Sequence, residues 1–82
     1  MNYAIELKPK AEKDLRKLHP EDRLRIVDRL RWLEQNLRGD VKHLSNHHPE
    51  YRMRAGNYRV LFEVEENRVI VYRIIHRSDA YR

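Results

Sequence analysis

Tyr3, Ile5 and Leu7 alternate with Asn2, Ala4 and Glu6, the period of a short strand with one buried face, predicted at residues 2–7. Lys8-Pro9 closes it, and a proline opens a helix at no cost because the first-turn N–H has no intrahelical partner. Ala11, Leu15 and Leu18 then recur at helical spacing. After His19-Pro20, Glu21-Asp22 put negative charge at the N-terminus of a second helix, where the helix dipole favours it. Leu24, Val27, Leu30, Leu33 and Leu37 mark its apolar side, Arg23, Arg25, Asp28, Arg29 and Arg31 its polar side, and Arg38-Gly39 its stop. The two stretches read as a helical hairpin.

Residues 40–49 have no clear period and are predicted to form a polar surface loop. Beyond it the period changes to two. Tyr51-Arg52-Met53-Arg54 alternates apolar and basic positions, Ala55-Gly56-Asn57 supplies turn chemistry, and Tyr58, Val60, Phe62 and Val64 interleave with Arg59, Leu61 and Glu63. Glu65-Glu66-Asn67 turns the chain again, and the β-branched run from Arg68 to Ile75 reads as a central strand. The expected architecture is α+β with order β-α-α-β-β-β: an antiparallel sheet with the helical hairpin packed on one face.

At 82 residues the chain has room for one hydrophobic core, so residues 1–82 are taken as a single domain. It has no cysteine, which removes disulfides, thiolate metal ligands and a cysteine nucleophile. No stretch is apolar enough to span a bilayer, and a soluble cytoplasmic protein without a membrane partner is expected. The net charge of +5 favours a polyanionic partner, because neutralising phosphates releases counterions. The five lysines fall at or before Lys42, whereas the seven basic residues after Glu50 are all arginine. A guanidinium grips phosphate oxygens in a bidentate way and stacks on bases.

Parity places Arg52 and Arg54 on one strand face, and turns Arg59 away from the helices if Tyr58, Val60 and Phe62 pack on them. The tail His76-Arg77-Ser78-Asp79-Ala80-Tyr81-Arg82 adds a titratable ring, a fixed cation and an aromatic platform. Cleaving RNA needs such parts: a base for the 2′-hydroxyl proton, cations for the scissile phosphate, an acid for the leaving 5′-oxygen, and a ring that aligns the nucleotide. A structural reading is also open, with the arginines paired to Glu63, Glu65 and Glu66, Tyr81 docking the chain end and His76 capping the strand. His43, His47 and His48 lack a carboxylate or cysteine that completes a metal set, and no metal or other cofactor is expected. Trp32 is expected in the core.

The run from Tyr51 to Val64 followed by Val71 to Arg82 resembles the RelE branch of the RelE/ParE toxins: Y-R-hydrophobic-R-x-G-x-Y-R, an acidic turn, an apolar strand, then H-R-x-D-x-Y-R. With the Lys8-to-Leu15 helix start, the likeness covers nearly the whole chain. The resemblance implies a type II toxin that cleaves messenger RNA on the ribosome, in the A site, and is silenced by a cognate antitoxin in a hetero-oligomer. It implies that Arg52 and Arg54 contact the scissile phosphate region, Arg59 stabilises the transition state, Arg77 supplies a cation after the last strand, Tyr81 orients the base, and His76 is the histidine of the tail. RelE-like enzymes carry lysines where Arg52 and Arg54 stand. Arginine does not give up its proton, so proton transfer is assigned to His76 or Tyr81, or the geometry of the bound RNA carries most of the catalysis. ParE-like relatives share the fold but poison DNA gyrase, and a non-catalytic RNA-binding module is a third alternative.

Overall fold

Each of the two long helices starts on a proline, whose fixed φ and missing N–H suit the first turn. In the computed structural model, which describes residues 1–80, these are α1 (Pro9–Lys17) and α2 (Pro20–Glu34). The strands are β1 (Ala4–Leu7), β2 (Asp40–His43), β3 (Tyr51–Ala55), β4 (Tyr58–Glu65) and β5 (Arg68–His76), and a short α3 (Arg77–Ala80) follows. The strands form one sheet in the order β1-β5-β4-β3-β2.

The α+β class and the helices on one face agree with the sequence, with three differences. Residues 40–43 are a strand and not part of a loop: β2 pairs with β3 as an outer strand, Asp40 opposite Arg54 and Lys42 opposite Arg52. Only Val41 of β2 packs against the core, too little apolar content to declare a strand. The sheet is mixed and not wholly antiparallel, because β1 runs parallel to β5 from Ala4↔Arg68 to Leu7↔Val71. Finally, α2 ends at Glu34, short of Leu37. Tyr3 N–H donates to the Glu34 carbonyl and Asn36 N–H to the Met1 carbonyl, so the N-terminal segment takes over the helix end. Asn36 and Leu37 adopt positive φ, 59° and 57°, and Leu37 still reaches the core from the turn.

The buried stripe of α2 is Ile26, Leu30 and Leu33, while Leu24 faces solvent. With Ala11 of α1 it covers Met53, Ala55, Val60, Phe62, Val69, Val71 and Ile74 of the sheet. Burying a side chain such as Phe62 stabilises the fold by about 1.5–3 kcal/mol. Gly56 turns β3 into β4 at φ +60°, and a Cβ there would sit 3.0 Å from Arg25 Nη1 of α2.

A bulge breaks the alternation of β5. Phe62 pairs with Val71 but Leu61 pairs with Arg73, which leaves Tyr72 as an extra residue. Val69 and Val71 face the core, and after the bulge it is Ile74 that does so. The second half of β5 also outruns β1, whose pairing ends at Val71. There Asp14 of α1 takes the place of a strand, accepting from Ile74 N–H at 2.9 Å and from Arg73 Nε and Nη2 at 2.8 and 3.2 Å.

Candidate nucleic-acid interface

The sheet face turned away from the helices is built by register. One row across the strands is Asp40, Arg54, Arg59 and Ile75; the next is Lys42, Arg52, Leu61 and Arg73. Residues in register share a face, and Asp40, Lys42, Arg52, Arg54 and Arg59 line a cavity of about 200 Å3. Four cations against one carboxylate make this an anion-attracting concavity.

Arg54 and Arg59 stand directly opposite each other, an arrangement that like charges disfavour. Two features offset it. Asp40 flanks Arg54 on the other side, and Arg59 Nη1 donates to the carbonyls of Gly56 and Tyr58 at 3.2 and 2.9 Å. Arg59 is 3% exposed, so its guanidinium is held in a fixed place. Arg52 is half-buried and Arg54 exposed. Lys42 was missed in the sequence because its segment reads as a loop; the signal that could have found it is Val41 between two polar residues.

The structure brings Arg52, Arg54 and Arg59 together but sets His76 apart from them. His76 pairs with Tyr58 and meets its ring edge-on at 5.4 Å, on the helix side of the sheet. The bulge at Tyr72 is the cause: strict alternation from Val71 would have turned His76 toward the arginines. His76 Nδ1 accepts from Ser78 N–H at 3.2 Å, with the Ser78 hydroxyl at 2.9 Å. In the neutral ring this puts the proton on Nε2. Arg77 is exposed, and its N–H donates to the Asn57 carbonyl at 2.7 Å, tying the start of the tail to the β3–β4 turn beside Arg54 and Arg59. Tyr81 lies outside the described residues.

Two of the carboxylates that the sequence offered the arginines meet other groups among the described residues. Glu63 accepts from Glu50 N–H and lies 3.5 Å from His48 Nε2, and Glu65 faces Arg68. Arg73 is bound to Asp14 and does not line the cavity. Burial pushes the Asp14 carboxyl up, but the Arg73 hydrogen bonds, Ile74 N–H and the charges of Arg73 and Lys17 outweigh it and hold it below the usual carboxylate range. The hydrogen bond to Asp14 raises Arg73 in turn.

His43 lies 3.3 Å from Glu50, and His47 Nδ1 lies 3.0 Å from the Pro49 carbonyl. Among the described residues no group of three or more His, Cys, Asp or Glu is placed to hold a metal ion. Trp32 is half-buried and not part of the central core; the guanidinium groups of Arg29 and Arg38 lie 4.1 and 5.2 Å from its ring. Among the described residues no helix is long and apolar enough to cross a membrane.

Fold and site together define a small basic α+β domain that offers an arginine-lined sheet face to an anion. Residues 5–81 match the family described as the ParE toxin of the type II toxin-antitoxin system, parDE, and the chain belongs to this RelE/ParE toxin superfamily. It is 39% identical over 46 residues to toxin RelE3 of Methanocaldococcus jannaschii, a stretch that covers 56% of this chain and 52% of that relative, so the match spans about half of the relative's length. Among solved structures it resembles the RelB-RelE antitoxin-toxin complex from Methanococcus jannaschii, at 30% identity and TM-score 0.76 over 93% of this chain and 94% of that one. It also resembles the RelBE2 toxin-antitoxin complex from Mycobacterium tuberculosis, at 26% identity and TM-score 0.79 over 93% and 99%.

Proposed function

We propose that this chain is the toxin of a type II toxin–antitoxin pair and acts in the cytoplasm as an endoribonuclease on messenger RNA in the ribosomal A site. The observation that carries the reading is the cavity in which Lys42, Arg52, Arg54 and Arg59 converge beside Asp40. In the proposed reaction the RNA 2′-oxygen attacks the adjacent phosphorus, the bond to the 5′-oxygen breaks, and a 2′,3′-cyclic phosphate and a 5′-hydroxyl result. The 2′-hydroxyl loses a proton and the leaving oxygen gains one. Arg52, Arg54 and Lys42 bind the phosphate, and the fixed guanidinium of Arg59 stabilises the charge that grows in the transition state. Arg77 adds a cation from the tail. Tyr81 stacks on the substrate base and is assigned the proton transfers. His76, on the helix side of the sheet and away from the arginines, positions the tail, since its Nδ1 holds Ser78. No metal or cofactor enters this scheme. A cognate RelB-like antitoxin is the expected partner, in keeping with the antitoxin-toxin complexes the fold resembles.

The test is to incubate the purified protein with translating ribosomes and map the cut sites. Cuts within codons that disappear in Arg59→Ala are the expected outcome. If Tyr81→Phe cuts at the wild-type rate, the proton-transfer assignment is wrong. The ParE description of the matching family favours a second reading, inhibition of DNA gyrase. Intact RNA together with blocked gyrase supercoiling would establish that reading; RNA binding without either would make the chain a non-catalytic module.

A further inference from the structure

A second concavity sits beside the arginine cavity. Lys8, Pro9, Lys10, Pro49, Tyr72 and Arg73 line a groove of about 440 Å3. Its floor is the bulged residue Tyr72, half-buried, with Lys8 Nζ 5.0 Å from the ring centroid and His48 edge-on at 5.2 Å. One wall is the start of α1 and the other is Pro49, which the His48–Glu63 contact holds against the sheet. The surface is therefore two prolines, an aromatic ring, an arginine and two lysines, of which Lys8 sets its ammonium over the ring. None of the described residues lining it is a carboxylate, and Asp14 fixes Arg73 at its edge.

An apolar slot rimmed by cations fits a ligand that is flat and apolar at one end and anionic at the other. Single-stranded nucleic acid has that chemistry in every residue: bases stack on aromatic faces while the backbone follows positive charge. The register sets the spacing. Arg73 is in line with Leu61 and Arg52, two strands away, which is about 10 Å at ~4.8 Å per strand. That distance is about three stacked nucleotides at a ~3.4 Å rise, and fewer if they are splayed. The half-buried Leu61 between the two cavities leaves an uncharged path for the strand.

We propose that the groove over Tyr72 is a second nucleotide subsite, which takes the base of an RNA residue one to three positions from the phosphate held by the arginines and binds its backbone through Lys8 and Lys10. The proposal rests on RNA being the substrate. Its physical origin is the bulge, which supplies the extra residue that becomes the stacking platform.

The probe is a fluorescein-labelled 2′-O-methyl octaribonucleotide, which binds but cannot be cleaved, followed by anisotropy with the full chain; the matching ribose oligonucleotide reports cleavage. Tyr72→Leu and the Lys8→Ala/Lys10→Ala double variant should each weaken binding about tenfold, with Tyr72→Phe near wild type because the ring is kept. On the ribose substrate the loss should fall on KM, and a dinucleotide too short to reach the groove should be cleaved by Tyr72→Leu as by wild type. Circular dichroism melts establish that the variants are folded, and the lysine variant covers the case in which Tyr72→Leu is not. Wild-type affinity in both variants overturns the subsite and leaves the nuclease reading intact. Tyr72-dependent binding without cleavage of the free oligonucleotide by wild type supports the subsite, and the translating-ribosome assay decides the nuclease reading separately. Absence of binding by wild type overturns the subsite.

Discussion

The two faces of the β3–β5 meander are made from alternate residues of the same strands, and they are built to different rules. On the helix side Met53, Val60, Phe62 and Val71 are completely buried and interchangeable in kind: any apolar residue of the right volume would serve. On the open side Arg52, Arg54 and Arg59 stand where like charges face each other across the register, a placement that works against the isolated sheet. The helix side shows what folding needs. The open side shows a cost accepted for something outside the chain.

Substitutions confined to one face test this contrast. Phe62→Ala, on the helix side, should lower unfolding free energy by about 3–5 kcal/mol in denaturant titrations, while the surviving folded fraction keeps its cleavage rate. Arg59→Ala should do the reverse, with cleavage falling by about 10²–10³-fold and a smaller change in the melt. If Arg59→Ala lost stability and activity together to the extent of Phe62→Ala, the division between faces would fail. Asp14→Ala, at the seam where α1 meets β5, should cost about 1–3 kcal/mol by stranding Ile74 N–H and loosening Arg73.

The same carboxylate gives a pH test with a definite sign. Its folded pKa is depressed, so its contribution to stability is present above the ordinary carboxylate value of about 3.9 and is lost as pH falls through the depressed one. Melts taken from neutral pH into the acid range should show a steeper loss for wild type than for Asp14→Asn, and parallel curves would remove the ion pair from the account. The smallest effect is expected of the exposed Arg54. Arg54→Ala should leave unfolding free energy within about 0.5 kcal/mol and reduce cleavage roughly tenfold, the loss shrinking at high salt as phosphate attraction is screened.

Much of the helix side was readable from the sequence because apolar periodicity is a local property: Val60 and Phe62 alternate, and Leu30 and Leu33 recur, without reference to any distant residue. The grouping of Arg52, Arg54 and Arg59 was readable for the same reason. What was hidden depends on partners far along the chain. Lys42 becomes a neighbour of Arg52 only once a strand with a single core-facing valine pairs at the sheet edge. Asp14 finds Arg73 59 residues away. The position of His76 turns on one extra residue in β5, and nothing in the run Val71-Tyr72-Arg73-Ile74 announces where the insertion falls.

The parallel pairing of β1 with β5 sets an order of events at synthesis. Ala4 is made early, yet its partner Arg68 emerges 64 residues later, a wait of about 3–13 s at roughly 5–20 residues per second. Until then the core is missing the strand that carries Val69, Val71 and Ile74, and the row that ends at Arg73 is incomplete. The arginines of β3 and β4 are translated before the scaffold that fixes them, so the nascent chain carries its charges before it has a working surface.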